Sequence, residues 1–176
     1  MNKSELLILN GSPGSGKTTL ADAIAEQLRE AAIAHAVIDL DEFAVIYSPD
    51  NDSVEWGNKF KWKNLAAVWP NYIALGDIKI IVPVVIDTND DFEAIKAATR
   101  GTVITVCELT APTDILIDRV TAREPNEYWK KRLRGLVENY NRRSEDERFA
   151  DIKIATHQKS VTDTATLIIE KLNWQS

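Results

Sequence analysis

Short apolar runs alternate with amphipathic stretches along the chain, the pattern of βαβ units whose parallel sheet is covered on both faces. The runs predict five strands, at Glu5–Asn10, His35–Asp39, Lys79–Ile86, Thr102–Leu109 and Asp151–Thr156. The stretches between them predict helices at Lys17–Ala32, Lys59–Leu75, Asp90–Thr99, Pro112–Arg123 and Glu127–Arg148, with a last one at Val161–Leu172. Start signals accompany them: Thr113 and Asp114 follow Pro112, and Ser160 stands as an N-cap with Asp163 at the capping-box position. Only Ser48–Asn58 reads as irregular, because Ser-Pro-Asp-Asn-Asp-Ser and Trp-Gly-Asn are turn formers. Loops of that length are commonly lids, binding loops or plain mobile surface.

The first strand runs into Gly11-Ser12-Pro13-Gly14-Ser15-Gly16-Lys17-Thr18, a full match to G-x-x-x-x-G-K-[ST] in the strand–loop–helix setting that this motif requires. Its glycines let successive backbone N–H groups face phosphate oxygens, and the helix N-terminus adds its positive dipole end. Lys17 supplies a point charge for the β- and γ-phosphates, and the Thr18 hydroxyl is a ligand for Mg²⁺. Gly11 through Thr18, with Thr19 behind them, are therefore the candidate ATP-binding residues.

The second strand ends Val37-Ile38-Asp39-Leu40-Asp41. If the chain stays extended through Leu40, both aspartates project to one side at the carboxyl edge of the sheet, where ligands bind. Beside a magnesium nucleotide, one carboxylate would serve the metal and the other would take the proton of an attacking hydroxyl. Asp39 is assigned the metal side and Asp41 the base. The competing reading is that both acids start a helix over Glu42–Tyr47.

The phosphate loop, the Asp-x-Asp and a later Arg119-x-x-x-Arg123 together resemble the P-loop small-molecule kinases, among them adenylylsulfate, shikimate and gluconate kinases and chloramphenicol phosphotransferase. A closer similarity, to bacterial "AAA family" P-loop proteins, lies in Asn64–Tyr72 and Arg119–Arg123. The resemblance covers nearly the whole chain in element order. It implies a three-layer α/β fold with a five-stranded parallel sheet of order 2-3-1-4-5, ATP as donor, and Asp41 serving the acceptor hydroxyl. It also implies that Arg123 reaches phosphate, that Arg119 lies against the adenine, and that Thr156–Ser160 passes over it. Pairing of these arginines with Asp118, Glu124 or Glu127 on a solvated helix is the alternative.

From Asp41 to Thr99 there is no arginine to clamp an acceptor phosphate. Lys59, Lys61 and Lys63 at a helix start read as a solvated face, so a hydroxyl acceptor is favoured over a phosphate one. The acceptor region is assigned to about residues 43–75 and a lid to about 119–134. Ile80–Ile86 followed by Asp87 has the form of a Walker B strand and acid, which would set Asp87 near Mg²⁺; Pro83 would end the strand early and leave it past the site. Trp69, at helical spacing with Leu65, Val68 and Tyr72, reads as core, whereas Trp56 and Trp62 are candidates for an acceptor-pocket wall.

Composition narrows the classes that remain. A chain of 176 residues, 44% apolar and 27% charged, with no linker or repeat, fits one domain over residues 1–176. The longest apolar run, Ile80–Ile86, is far short of the ~20 residues of a bilayer helix, and Leu6–Leu9 is too short for an export signal. A cytoplasmic protein is expected. The net charge of −6 argues against a nucleic-acid partner, although a 5′-hydroxyl polynucleotide kinase stays open as a weaker reading. The single cysteine, Cys107, has no disulfide partner and reads as a small buried hydrophobe. His35 and His157 are too far apart in sequence for a metal pair of helical spacing. The expected activity is ATP-dependent transfer of a phosphoryl group to a small molecule's hydroxyl, with a nucleotide-binding regulatory module or slow NTPase as the runner-up.

Overall fold

The computed structural model describes residues 4–43, 45–48, 51–56, 58–143 and 149–175. Five strands, β1 (Glu5–Asn10), β2 (His35–Val37), β5 (Lys79–Pro83), β6 (Val103–Thr110) and β7 (Ile152–Ala155), form a parallel sheet of order β2-β5-β1-β6-β7. Counting only the strands of this sheet, that is the expected order 2-3-1-4-5. Helices α1 (Lys17–Glu30) and α6 (Val161–Leu172) pack on one face, over Leu7, Leu9, Ile24, Leu28, Ile168 and Trp174. On the other face α2 (Asn58–Ile73) and α3 (Asn89–Ala98) close over Leu6, Ile8, Leu65, Trp69, Ile80 and Ile95. The central strand β1 is buried from Leu6 to Asn10, as apolar residues without alternation require when both faces are covered. Cys107 lies among them, and burial pushes its thiol up to about 12, so it is an inert hydrophobe.

Strand ends depart from expectation where ligands would bind. β2 stops at Val37, and the ladder reaches only Ile38, whose N–H donates to the Ile81 carbonyl at 2.9 Å. β5 ends at Pro83 and not at Ile86. The Val84 N–H donates to the Leu9 carbonyl at 3.0 Å, so the nitrogen of Pro83 faces the β2 side, where that strand has already ended and no donor is needed. The stretch expected to be irregular instead forms an antiparallel hairpin, β3 (Val45–Ser48) with β4 (Asn51–Trp56). Val45–Tyr47, helical in the competing reading of the aspartates, are strand. Asn51, Asp52 and Ser53, read as turn formers, lie in the second strand of this hairpin and obscured its alternation.

Helices α4 (Thr113–Arg123) and α5 (Glu127–Asn141) pack together over Leu116, Val120 and Val137. Pro125 separates them, and Asn126 caps α5 by accepting from the Tyr128 and Trp129 N–H groups. Residues 144–148, expected to continue this helix, lie outside the described residues. Ser160 caps α6 through the Asp163 N–H as expected. No described helix is long and apolar enough to cross a membrane.

Candidate active site

The phosphate loop is held in shape from three sides. Asn10 is buried, and its Oδ1 accepts from the Gly11 N–H at 2.9 Å and the Ile86 N–H at 3.1 Å, tying the loop to the chain that leaves β5. Gly11 has φ +145°, and a Cβ there would stand 2.6 Å from the Leu109 carbonyl oxygen. Gly14 has φ +81°, and its Cβ would meet the Leu116 carbonyl at 2.8 Å. The loop is thus wedged between β6 and α4 with no room for side chains at these positions.

Its polar atoms fit a polyphosphate. Ser12 Oγ and Ser15 Oγ are buried and have no hydrogen-bond partner among the described residues. Lys17 Nζ donates to the Gly11 and Ser12 carbonyls at 2.8 and 3.2 Å. Burial pushes the Lys17 ammonium down to about 8, reinforced by Arg123 and Lys61 and opposed by Asp41 and Asp39. A triphosphate would supply a negative partner that favours its charged form. Pro13 lines the cavity beyond the loop, while Gly14, Ser15, Gly16 and Thr19 line a cavity of about 310 Å³ on the nucleotide side. Thr18 is exposed at the start of α1. Among the described residues no cluster of His, Cys, Asp and Glu could hold a metal alone. That is compatible with Mg²⁺ carried on phosphates by one or two protein oxygens, such as Thr18 and Asp39.

Because β2 ends early, the two aspartates are set by a turn and not by strand alternation. Asp39 Oδ1 accepts from the Asp41 N–H at 3.0 Å, an Asx turn. Burial raises the Asp39 pKa, against the pull of that hydrogen bond and with help from the charges of Asp41 and Glu42. Asp41 Oδ1 accepts from Lys61 Nζ at 2.5 Å. Lys61 is therefore no part of a solvated face: its side chain is 8% exposed. The helical period held the signal, for Lys61 stands four residues before the buried Leu65 and so on the same face of α2.

Lys17, Asp41, Lys61 and Arg123 line a second cavity of about 630 Å³, together with Asp87 and Arg143. Asp87 is ion-paired with Arg143, which also donates to the Ile86 carbonyl at 3.0 Å. It lies beyond the strand end and already has a cation. Arg119 takes neither Asp118 nor Glu124 as partner. It donates to the Gly14 carbonyl and Thr156 Oγ1 at 3.2 Å each and to the Thr156 carbonyl at 3.3 Å, lining the nucleotide-side cavity. Arg123 lines both cavities and so stands at their junction. Thr156 and Lys159 of the expected adenine loop line the nucleotide-side cavity.

The tryptophans sort differently from expectation. Trp69 is core, as its spacing implied. Trp62 is core too and not a pocket wall: it is 7% exposed, with Nε1 donating to Asp91 Oδ1 at 2.9 Å. The side chain of Trp56 lies outside the described ones. The wall comes instead from α5, where Trp129, Arg132, Leu133, Leu136 and Tyr140 recur at helical spacing and line the larger cavity.

The family model for chloramphenicol phosphotransferase-like proteins matches residues 4–173. The chain belongs to this family. No curated protein sequence matches this chloramphenicol phosphotransferase-like chain. Its fold is shared with solved P-loop kinases. APS kinase of Mycobacterium tuberculosis, in complex with AMPPNP and APS, is similar at 16% identity and a TM-score of 0.67, over 98% of this chain and 99% of that one. A gluconokinase from Sinorhizobium meliloti is similar at 16% identity and a TM-score of 0.62, over 100% of this chain and 99% of that one. Shikimate kinase from Acinetobacter baumannii, in complex with shikimate, is similar at 18% identity and a TM-score of 0.58, over 99% and 96%. Fold and family are those of phosphotransferases.

Proposed function

We propose that the protein transfers the γ-phosphate of ATP to the hydroxyl of a small molecule. The observation that carries this is the larger cavity, where a phosphate-loop lysine, a carboxylate and an arginine meet: Lys17, Asp41 and Arg123. Phosphoryl transfer needs little covalent help from protein. It needs alignment, charge stabilisation and a proton acceptor.

ATP would be held by Gly11–Thr19 with its base toward Arg119, and Thr18 and Asp39 would hold Mg²⁺, which when bound would supply neutralisation of phosphate charge. Lys61 engages Asp41 Oδ1, which leaves Oδ2 without a hydrogen-bond partner among the described residues. That oxygen takes the acceptor's proton as the hydroxyl oxygen bonds to the γ-phosphorus and the bond from that phosphorus to the bridging oxygen breaks, releasing ADP. Arg123, at the junction of the two cavities, stabilises charge on the equatorial oxygens.

The test is ADP release with nucleosides, sugars and their acids, aminoglycosides and phenicols as acceptors. Stimulation by at least one class above the rate in water is expected. Tight ATP binding with no stimulation by any of them would favour a nucleotide-binding module or slow NTPase.

A further inference from the structure

Positive charge gathers in the acceptor-side cavity beyond what the nucleotide uses. In a chain of net charge −6, the described charged side chains lining it are Lys17, Lys61, Arg123, Arg132 and Arg143 against Asp41 and Asp87. Each carboxylate already holds one cation, Asp41 with Lys61 and Asp87 with Arg143. Lys17 is committed to the phosphate loop, and Arg123 is shared with the nucleotide-side cavity. Arg132 is left over. It makes no hydrogen bond or ion pair with a described residue, and its guanidinium carbon stands 5.6 Å from the centroid of the Trp129 ring. A guanidinium against an aromatic face keeps its planar fork ordered at low entropic cost, and that fork matches two oxygens of one oxyanion.

We propose that the acceptor is an anionic alcohol: a carboxylate, phosphate-ester or sulfate-ester group of the acceptor binds Arg132 while its hydroxyl meets Asp41. This rests on the reading of the site as a phosphotransferase. Trp129, Leu133 and Leu136 of the same helix, with Val85 opposite on the chain after β5, cover the carbon frame. The cavity of about 630 Å³ has room for such a molecule. The anion is held from the α5 side by Arg132, and not from residues 41–99, which contain no arginine.

The experiment titrates sulfate, and separately acetate, into the protein loaded with MgAMPPNP, at ionic strength held constant with chloride. The tryptophan indole N–H resonances are followed by NMR, with Trp129 assigned through Trp129→Phe. Saturable movement of the Trp129 resonance is expected. In Arg132→Gln the half-saturating concentration should rise at least fivefold, with MgAMPPNP affinity within twofold of wild type. Lys131→Gln removes the same charge from the neighbouring exposed position and should change neither. Tighter sulfate assigns a phosphate or sulfate ester, and tighter acetate a carboxylate. Absence of saturable binding of either anion, or equal affinity in wild type and Arg132→Gln, overturns the proposal. Failure of the nucleotide reading would show separately, as no binding of MgAMPPNP, and the Arg132 dependence reads the second site in either case.

Discussion

At the scale of single residues, the phosphate-loop lysine makes the sharpest statement. Lys17 is lowered from 10.5 to about 8 by burial, so in the free protein it binds fewer protons than in the unfolded chain between those values. Its contribution to stability therefore rises with pH across that window. Nucleotide binding runs the other way, because phosphate favours the ammonium. ATP affinity should fall as pH rises above about 8, and binding at pH 8 to 8.5 should take up roughly half a proton or more per nucleotide. Calorimetry in two buffers of different ionisation enthalpy checks this, and a buffer-independent heat would contradict it. Asp39 carries the opposite sign: its raised pKa marks a carboxylate whose ionised form is penalised by burial. Asp39→Asn should leave the thermal midpoint of the free protein at pH 7 unchanged or higher, while Mg²⁺-dependent gain in ATP affinity drops about tenfold. Gly14→Ala places a methyl 2.8 Å from the Leu116 carbonyl at a positive φ, and should lower stability by ~1–3 kcal/mol in urea unfolding.

At the scale of elements, one buried carboxylate joins two helices and the connection between β5 and α3. Asp91 sits in the first turn of α3 and completes a capping box with Thr88. Its Oδ1 accepts from Trp62 of α2 at 2.9 Å, and its Oδ2 accepts from the Thr88 N–H at 3.0 Å on the connection from β5. Asp91→Ala would orphan the indole N–H and the Thr88 N–H, breaking the reciprocal half of the capping box while the Thr88 cap itself remains, for a loss of about 2–4 kcal/mol. Trp62→Phe in the same background should recover part of it, because the orphaned indole donor is then absent. Fully additive losses in the double-mutant cycle would show that the two side chains do not couple. The helix α5 is divided in the same terms. Val137 and Tyr140 are buried and Arg143 ties its end to Ile86 and Asp87, whereas Tyr128 near its start is 64% exposed. Its first half is the one that carries Trp129 and Arg132 to the cavity.

At the scale of the molecule, the acidic surface and the basic cleft are one arrangement. The chain's net charge of −6 coexists with lysines and arginines gathered at the carboxyl edge of the sheet, where the phosphates would lie. The fold and the nucleotide half of this site were legible along the chain, because they rest on local signals: apolar runs, a contiguous glycine loop, caps at helix starts. The acceptor half was not. Lys61 looked like one of three solvated lysines until α2 turned it inward toward Asp41, and Trp62 looked like a pocket wall until Asp91 claimed its indole. Arg132 and Arg143 converge with Asp41 only through the packing of α5 against the sheet edge, which no local pattern encodes. The hairpin at Val45–Trp56 was hidden for a different reason, since its turn-forming residues break the alternation of a strand.

The central claim, that Asp41 takes the acceptor's proton beside a separately bound nucleotide, is tested most directly by Asp41→Asn. ATP affinity and turnover should be measured together with whichever acceptor stimulates ADP release. The account expects ATP affinity within about threefold of wild type and turnover lower by ~10² or more. Equal losses of binding and turnover, or turnover that survives the substitution, would contradict it.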